Sequence, residues 1–294
     1  MLLLSKKQRV EFIESVAYPL PAMVLVTLMI YIPFALSGFY AFTEWNGIAR
    51  APKWIGTANF AGIFKGESDF FRTLMFTFKY TVLFMIFSNV IALALSLALV
   101  KKFTLANTLR GLFFVPYIMS MTIVGFIWRF IFSSGFDTFL AVTGWDIFRW
   151  SWLGDGNLAF FSVAMVGIWQ SIGFYIVLYI AGLESMPADV LEASVVDGAA
   201  GFTRLRRVIL PLLAPSIATC MFMSLTNSLK VFDIILALTR GGPAGSTYSV
   251  TLGIYRDAFQ NNRYGLGSAE SLLFFVIVLI LTQIVMRVFH AEDR

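Results

Sequence analysis

Eight polar residues interrupt stretches of sequence that are otherwise apolar. They are Tyr117, Ser120, Gln170, Ser171, Tyr175, Asn227, Ser228 and Lys230. Their hydroxyl, amide and ammonium groups form hydrogen bonds, and burying such a group in an apolar helix costs free energy unless it pairs or faces water. The chemistry open to these residues is therefore recognition of a polar molecule, with pairing among themselves as the alternative.

Lys230 has an oppositely charged residue close by in the sequence. Asp233 follows it by three positions, a spacing that puts two side chains on one face of a helix. The two residues can therefore form an ion pair near the end of an apolar stretch. The alternative is that Lys230 faces an anionic solute.

The residues that enzymes use for covalent or metal chemistry are scarce. With one histidine and one cysteine, Cys220, the chain can form neither a His/Cys metal cluster nor an intrachain disulfide. The motifs H-E-x-x-H and G-x-S-x-G are absent, and no Gly-Lys dipeptide exists to complete a G-x-x-x-x-G-K-[ST] phosphate loop. We therefore predict no catalytic residue, no metal site and no cofactor bound by this chain.

The composition predicts a membrane protein. Hydrophobic residues make up 59% of the 294 residues and charged residues 13%, which is more apolar surface than a soluble domain of this size can bury. The net charge of +5 lies in short clusters between apolar runs. Membrane topology explains these clusters, so we expect lipid and not nucleic acid as a partner.

Six apolar stretches are long enough to cross about 30 Å of hydrocarbon, which takes roughly 20 residues each. They lie near residues 17–42, 74–100, 110–132, 158–183, 208–237 and 271–289. Several contain proline, which membrane helices tolerate as kinks. We predict an all-α membrane protein with six transmembrane helices, forming a single domain over residues 1–294.

The positions of lysine and arginine predict the orientation of the chain. Clusters of these residues mark the cytoplasmic side of a membrane protein. The clusters are Lys6, Lys7 and Arg9; Lys101, Lys102 and Arg110; Arg204, Arg206 and Arg207; and Arg287 and Arg294. Both termini are thus predicted to be cytoplasmic, with the first apolar run retained because no small-residue cleavage site follows it.

The most strongly patterned segment lies between the fourth and fifth apolar stretches, at Glu184–Pro215. Ser185 is a predicted N-cap, and Pro187 suits the first or second position of a helix. Gly198 suits the left-handed turn that ends one. The pattern predicts a helix, a sharp turn and a second helix at the membrane surface, where the alternative is an interfacial hairpin that has no partner.

This segment resembles the EAA signature of ABC importer permeases. The resemblance rests on Glu192-Ala193-Ser194, on Gly198, and on Val208-Ile209-Leu210-Pro211, with Ser194 in place of the usual second alanine. It implies that residues 185–207, here called the EAA segment, form a cytoplasmic coupling helix that seats in a cleft of a separate ATP-binding subunit. The residues that it assigns to ATPase coupling are Pro187, Val190, Leu191, Glu192, Ala193, Ser194, Asp197, Gly198 and Pro211.

Resemblance to the binding-protein-dependent carbohydrate permeases, of the maltose and glycerol-phosphate transporter type, covers nearly the whole chain. ALTRGGPAGST at residues 237–247 is similar to the first-encoded member of a permease pair. The implied fold is that of a type I ABC importer permease in a bacterial plasma membrane. The implied partners are a second homologous permease subunit, two copies of an ABC ATPase that bind ATP and Mg, an extracellular or periplasmic solute-binding protein, and a sugar solute.

The resemblance also implies a solute path through the membrane. Its positions map onto Tyr117, Met121, Gly167, Gln170, Ser171, Phe174, Asn227, Ser228 and Val231, to which the polar pattern adds Lys230. The implied activity is import of a di- or oligosaccharide by alternating access. A secondary transporter or channel is the first alternative hypothesis, but the midplanes of the predicted spans hold almost no carboxylate or histidine for ion coupling. An intramembrane enzyme is the second, and the catalytic motifs that it would need are absent.

Overall fold

The computed structural model describes residue 15 and residues 17–101 and 103–290, and this part of the chain is almost entirely helical. Of the residues used to predict the orientation, Lys6, Lys7, Arg9, Lys102 and Arg294 lie outside the described residues.

The helices follow one another with short connections. They are α1 (Leu20–Tyr40), α2 (Ala58–Lys65), α3 (Phe70–Leu99), α4 (Ala106–Ile118), α5 (Met121–Thr143), α6 (Gly156–Glu184), α7 (Ala188–Val196), α8 (Gly201–Leu212), α9 (Ala214–Leu229), α10 (Asp233–Leu238), α11 (Val250–Tyr255) and α12 (Tyr264–His290). Between α1 and α2, strands β1 (Thr43–Glu44) and β2 (Lys53–Trp54) pair antiparallel, with Thr43 opposite Trp54.

Five of the described helices, α1, α3, α5, α6 and α12, are long and apolar enough to cross a membrane. A sixth crossing exists if α8 and α9 count as one span with a bend of 72°. Pro211 and Pro215 flank the bend at Leu213, and each proline removes one helical N–H and crowds the preceding turn. The predicted all-α membrane protein of six membrane helices is confirmed, with this bent pair as the fifth.

The third span differs from the helix predicted at residues 110–132. α4 ends at Ile118 and α5 begins at Met121, because Met119 and Ser120 have extended backbone with ψ of 143° and 132°. With 13 residues, α4 is too short to cross a bilayer alone. The helix that is long enough is α5, which ends 11 residues beyond the predicted limit.

The fifth span also differs from its prediction at residues 208–237. α9 stops at Leu229, and α10 is a separate short helix that begins at Asp233. The carbonyl of Val231, which the break leaves without a helical partner, accepts hydrogen bonds from Ser249 Oγ at 2.7 Å and Thr251 Oγ1 at 2.6 Å. Ser249 and Thr251 therefore stabilise the break between α9 and α10. A hydropathy profile does not predict this break, because it contains no information about such contacts.

Contacts divide the described part of the chain into two compact units, and the single domain over residues 1–294 stays a prediction. The first contains the described residues up to Glu67 together with Ile254–Leu273, and the second contains the described residues of Ser68–Gly253 and those from Phe274 to His290. In the first unit the backbone N–H of Gly265 donates to the carbonyl of Trp45 at 3.0 Å. Segments far apart in sequence thus complete the first unit, which a reading along the chain does not reveal.

The core of the second unit is built from α3, α6 and α9. The hydroxyl of Tyr179 on α6 donates to Asn89 Oδ1 on α3 at 2.7 Å. The amide of Asn89 donates in turn to Ser224 Oγ on α9 at 2.9 Å. Lipid cannot form hydrogen bonds with polar side chains, so bonds between helices satisfy them. The two buried hydrogen bonds, Tyr179 to Asn89 and Asn89 to Ser224, therefore hold the three helices together.

Candidate functional site

A cavity of about 320 Å³ lies in the second unit, and we call it the polar cavity. Its lining residues come from α3, α6 and the two helix breaks. They are Tyr80, Phe84, Tyr117, Met121, Gln170, Ser171, Asn227, Ser228, Lys230, Val231, Phe232, Asp233 and Ile234. The volume falls at the lower end of the range for small-molecule sites, roughly 300 to 1,000 Å³.

Both helix breaks open onto the polar cavity. Tyr117 and Met121 flank the break between α4 and α5, while Asn227 and Lys230 lie at the break between α9 and α10. Non-helical backbone at membrane depth is tolerated where it lines a cavity or is buried in protein. The breaks therefore belong to the construction of this site.

Gln170 is held by the first of these breaks. Its Nε2 donates to the carbonyls of Tyr117 at 3.4 Å and Met119 at 3.3 Å, which α4 leaves free at its end. The hydroxyl of Ser171 donates to Gln170 Oε1 at 3.3 Å. The side chain of Gln170 thus has a fixed orientation at the cavity wall.

Most of the predicted path residues come together around the polar cavity. Tyr117, Met121, Gln170, Ser171, Asn227, Ser228, Lys230 and Val231 all line it. Gly167 does not, and instead lies against the Tyr80 hydroxyl, where a Cβ would collide. Phe174 is also behind the wall, with its ring stacked on that of Tyr117 at a centroid distance of 4.8 Å. Both residues support side chains that do reach the cavity.

Lys230 and Asp233 do not form the ion pair that their spacing allowed. α9 ends before Lys230 and α10 begins at Asp233, so the two residues do not share a helical face. Within residues 17–101 and 103–290 no ion pair joins them, and both are exposed at the cavity. The ammonium group of Lys230 is therefore available to a solute.

Tyr80 and Phe84 line the cavity and were missed by the sequence analysis. The signal was present in α3, where Thr73, Thr77 and Ser88 share a buried face with them at helical spacing. In a membrane helix, small hydroxyl residues on one face mark the side that packs against protein. The sequence analysis considered polar residues that stand alone in an apolar stretch. It did not consider small hydroxyl residues that recur at helical spacing along one face.

A larger cavity, of about 620 Å³, lies in the first unit and contains none of the predicted residues. Trp45, Glu44, Asn59 and Arg263 are among its lining residues. The Trp45 ring stacks on Tyr40 at 4.3 Å, and its indole N–H donates to the Ala49 carbonyl, so this ring is engaged within the unit.

The EAA segment has the predicted helix, turn and helix, with one difference at its start. Ser185 belongs to the end of α6, where its hydroxyl donates to the Gly182 carbonyl at 2.9 Å, and Pro187 takes the N-cap position of α7. The N-cap predicted at Ser185 is therefore wrong, because that hydroxyl closes the preceding helix, and the first or second helical position predicted for Pro187 is wrong as well, because α7 begins at Ala188. Gly198 has the predicted left-handed conformation, with φ of +77°.

The exposed surface of the EAA segment consists of apolar and acidic side chains. Val196 is 88% exposed and Phe202 72% exposed, and Val190 and Val195 are exposed as well. Of the remaining predicted coupling residues, Pro187, Glu192, Ala193, Asp197 and Pro211 are exposed, Leu191 is half-buried and Ser194 is buried. Pro211 lies apart from the rest, near the bend that ends α8.

Two arginines that the sequence analysis used only for topology tie this region together. Arg204 on α8 donates from Nη2 to the Leu191 carbonyl at 3.1 Å and from Nε to Ser194 Oγ at 3.2 Å. Arg110 on α4 donates from Nη2 to the Leu99 carbonyl at 2.8 Å and lies 3.3 Å from Glu184 Oε1. A charge count along the sequence cannot distinguish these two from their exposed neighbours.

Comparison with known proteins identifies a family for most of the chain. A family described as "Binding-protein-dependent transport system inner membrane component" matches residues 90–291.

The chain is also similar to two named permease proteins along most of its length. It is 36% identical to the "Probable starch degradation products transport system permease protein AmyD" of Thermoanaerobacterium thermosulfurigenes over 276 residues, covering 93% of this chain and 92% of that protein. It is 32% identical to the "Multiple sugar-binding transport system permease protein MsmF" of Streptococcus mutans over 260 residues, covering 88% and 89%.

Among solved structures, the fold matches a chain of a bacterial ABC transporter involved in the import of the acidic polysaccharide alginate. The TM-score is 0.84, with 97% of this chain and 99% of that chain covered at 22% sequence identity. At this identity the likeness concerns the fold.

Proposed function

The chain belongs to the family of binding-protein-dependent transport system inner membrane components, and on this premise we propose that it is the membrane-spanning permease subunit of an ATP-driven sugar importer. The observation that carries the proposal is the polar cavity, which two broken helices line with hydroxyl, amide and ammonium groups. Sugar as the solute class is supported by the starch-product and multiple-sugar systems of the two relatives.

The lining of the polar cavity suits a polyhydroxylated solute. Tyr117 and Asn227 offer both donors and acceptors, and Gln170 Oε1 adds an acceptor, as a sugar ring with several hydroxyls requires. Tyr80 and Phe84 add aromatic rings to one wall, which can pack against the apolar face of a sugar. We take the solute to be a di- or oligosaccharide that passes through the cavity one portion at a time.

The energy for transport comes from a separate subunit in this proposal. ATP and Mg are bound by a partner ABC ATPase in two copies, and the exposed valines of α7 seat in its cleft on the cytoplasmic side. A second homologous permease completes the membrane part, and a solute-binding protein delivers the sugar from outside. Closure of the ATPases moves α7 and switches the polar cavity between outward-open and inward-open states.

The test is uptake by the reconstituted complex. The tagged chain is purified from its native membranes in mild detergent with whatever partners remain bound, and is then reconstituted in vesicles with the solute-binding protein. We expect ATP-dependent uptake of radiolabelled maltotriose, a starch fragment chosen from the name of the first relative. Uptake driven by a sodium or proton gradient without ATP would overturn the proposal.

A substitution at Gln170 tests whether the transported sugar binds in the polar cavity. Gln170→Leu removes an amide held by two carbonyls at the cavity wall, so we expect the KM for uptake to rise about tenfold, which corresponds to about 1.4 kcal/mol of lost solute binding. Gln283→Leu is the matched control, since Gln283 is exposed on α12. Equal KM values for the two variants would argue against the polar cavity as the solute site.

A further inference from the structure

We propose that Arg204 is a positioning residue that locks α7 to α8, so that the two helices move as one body during transport. The inference rests on the proposed function, because it concerns how movement of α7 reaches the polar cavity. It adds a residue that the EAA resemblance does not assign.

Three hydrogen bonds form the lock. Arg204 reaches from α8 to α7, with Nη2 on the Leu191 carbonyl at 3.1 Å and Nε on Ser194 Oγ at 3.2 Å. The Ser194 hydroxyl donates to the same Leu191 carbonyl at 2.7 Å. The planar guanidinium thus uses two of its donors on two adjacent acceptors, and charge-assisted bonds of this kind are stronger than neutral ones.

Backbone hydrogen bonds close the end of α7, from the Gly198 N–H to the Val195 carbonyl at 3.0 Å and from the Ala199 N–H to the Ser194 carbonyl at 2.9 Å, and neither bond reaches α8. Gly198 and Gly201 both have positive φ, +77° and +52°, and nothing lies within 4 Å of where a Cβ would stand on either. In the described part of the chain, no other side-chain hydrogen bond or ion pair joins α7 to α8. Arg204 is therefore the side chain that connects the two helices across the turn by hydrogen bonds.

The hydroxyl of Ser194 accepts one of the hydrogen bonds from Arg204, and an alanine at this position has no group that could do so. The EAA pattern usually has alanine at this position, and here the buried hydroxyl of Ser194 accepts a hydrogen bond from Arg204. The lock lies on the buried side of α7, and Val195 and Val196 remain exposed for the ATPase. The exposed valines and the Ser194 hydroxyl thus belong to different sides of the same helix.

Movement of α8 leads directly to the cavity. α8 connects through the bend at Leu213 to α9, which carries Asn227 and Ser228 at its far end. If α7 were joined to α8 only by the glycine turn, ATPase closure would rotate α7 without displacing α9. The lock removes this freedom.

The first experiment measures sugar molecules taken up per ATP hydrolysed in the reconstituted complex. For Arg204→Met we expect this ratio to fall about tenfold, while the ATPase still co-purifies and hydrolyses ATP. Arg204→Lys, which keeps the charge but has no planar fork, should give an intermediate ratio, and Ser194→Ala should lower it two- to threefold. Arg206→Met is the control, because Arg206 carries the same charge two residues away and is exposed.

The second experiment measures the mobility of α7 and does not depend on transport activity. A nitroxide on cysteine at Val196 of the full chain in nanodiscs reports the mobility of α7, and the native Cys220 is buried from the label. We expect faster motion in the Arg204→Met background than in the Arg206→Met background. Equal mobility together with an unchanged transport ratio would overturn the lock.

The two experiments also separate the inference from the proposed function. If the unaltered chain recovers no ATPase, the proposed function fails, and label mobility alone then decides whether the lock exists. If Arg204→Met does not insert, the same comparison is made with Ser194→Ala and Arg204→Lys.

Discussion

Gly198 turns the chain from α7 toward α8 with φ of +77°, and the space around it is open. A side chain there meets no neighbour, so its cost is backbone strain alone, about 1 to 2 kcal/mol for an ordinary residue in the left-handed region. Asparagine tolerates this conformation better than other residues. The type of side chain therefore matters more than its size.

We predict that Gly198→Ala lowers the thermal unfolding midpoint and the rate of sugar uptake, whereas Gly198→Asn lies near the unaltered chain in both. Gly111→Ala is the control, because Gly111 also has open space but lies inside α4, where alanine favours the helix. Thermal unfolding in detergent and uptake in vesicles measure the effect. A loss with Gly198→Asn as large as that with Gly198→Ala would mean that strain is not the cause.

Residues differ in how well the sequence predicts them, for a physical reason. Tyr117 and Asn227 were predicted for the path because a polar side chain in an apolar stretch is conspicuous, and both line the polar cavity. The relation of Lys230 to Asp233 could not be predicted, because it depends on where α9 ends. The role of Arg204 depends on a contact across a turn, which composition does not contain.

At the scale of helices, hydropathy predicts that a stretch crosses the membrane but not that it is continuous. The fourth stretch, predicted at 158–183, is the single helix α6. The third and fifth stretches are broken, and the free carbonyls at the breaks are satisfied by Gln170 and by the pair Ser249 and Thr251. Those partners come from other segments of the chain, so the breaks are a property of the tertiary structure.

Arg110 joins the ends of three helices. From α4 it donates to the last carbonyl of α3, at Leu99, and it pairs with Glu184 at the end of α6. Carbonyls at a helix C-terminus lack intrahelical donors, and a cation near them is favourable. The three ends are therefore held at one point.

We predict that Arg110→Met lowers the free energy of unfolding by about 1.5 to 3 kcal/mol, the usual range for a hydrogen bond to a charged group. The half-exposed Glu184 adds little to this, because solvent screens the pair. Arg149→Met is the control, since Arg149 forms only an exposed ion pair with Asp146 and should change stability by less than about 0.5 kcal/mol. Chemical unfolding in detergent measures both variants, and equal losses would contradict a special role for Arg110.

For the whole molecule, the sequence predicted the class and the number of crossings but not the division into two units. The class follows from composition, because lipid is the only solvent that accepts so much apolar surface. The first unit depends on residues near Gly265 meeting Trp45, more than 200 positions earlier. Periodicity along a chain carries no information about such a pairing.

The orientation of the chain is the prediction that belongs to the molecule as a whole. The basic residues Lys101 and Arg110 lie on either side of the turn between α3 and α4, so we predict that this turn lies in the cytoplasm. On this prediction α5 carries the chain to the outer side, at the segment that follows Thr143. Because two crossings precede the turn, we predict that the N-terminus lies on the same side, and with six crossings the C-terminus is predicted to lie there as well.

Labelling of single cysteines tests this orientation. Leu105 in that turn is 60% exposed and Val142 near the outer end of α5 is 80% exposed, while the native Cys220 is fully buried. In intact spheroplasts we expect a membrane-impermeant maleimide to label Val142→Cys at once and Leu105→Cys only after lysis. The unaltered chain should stay unlabelled in both states. Labelling of Leu105→Cys before lysis would reverse the topology and place the EAA segment, two further crossings along, on the side that ATP does not reach.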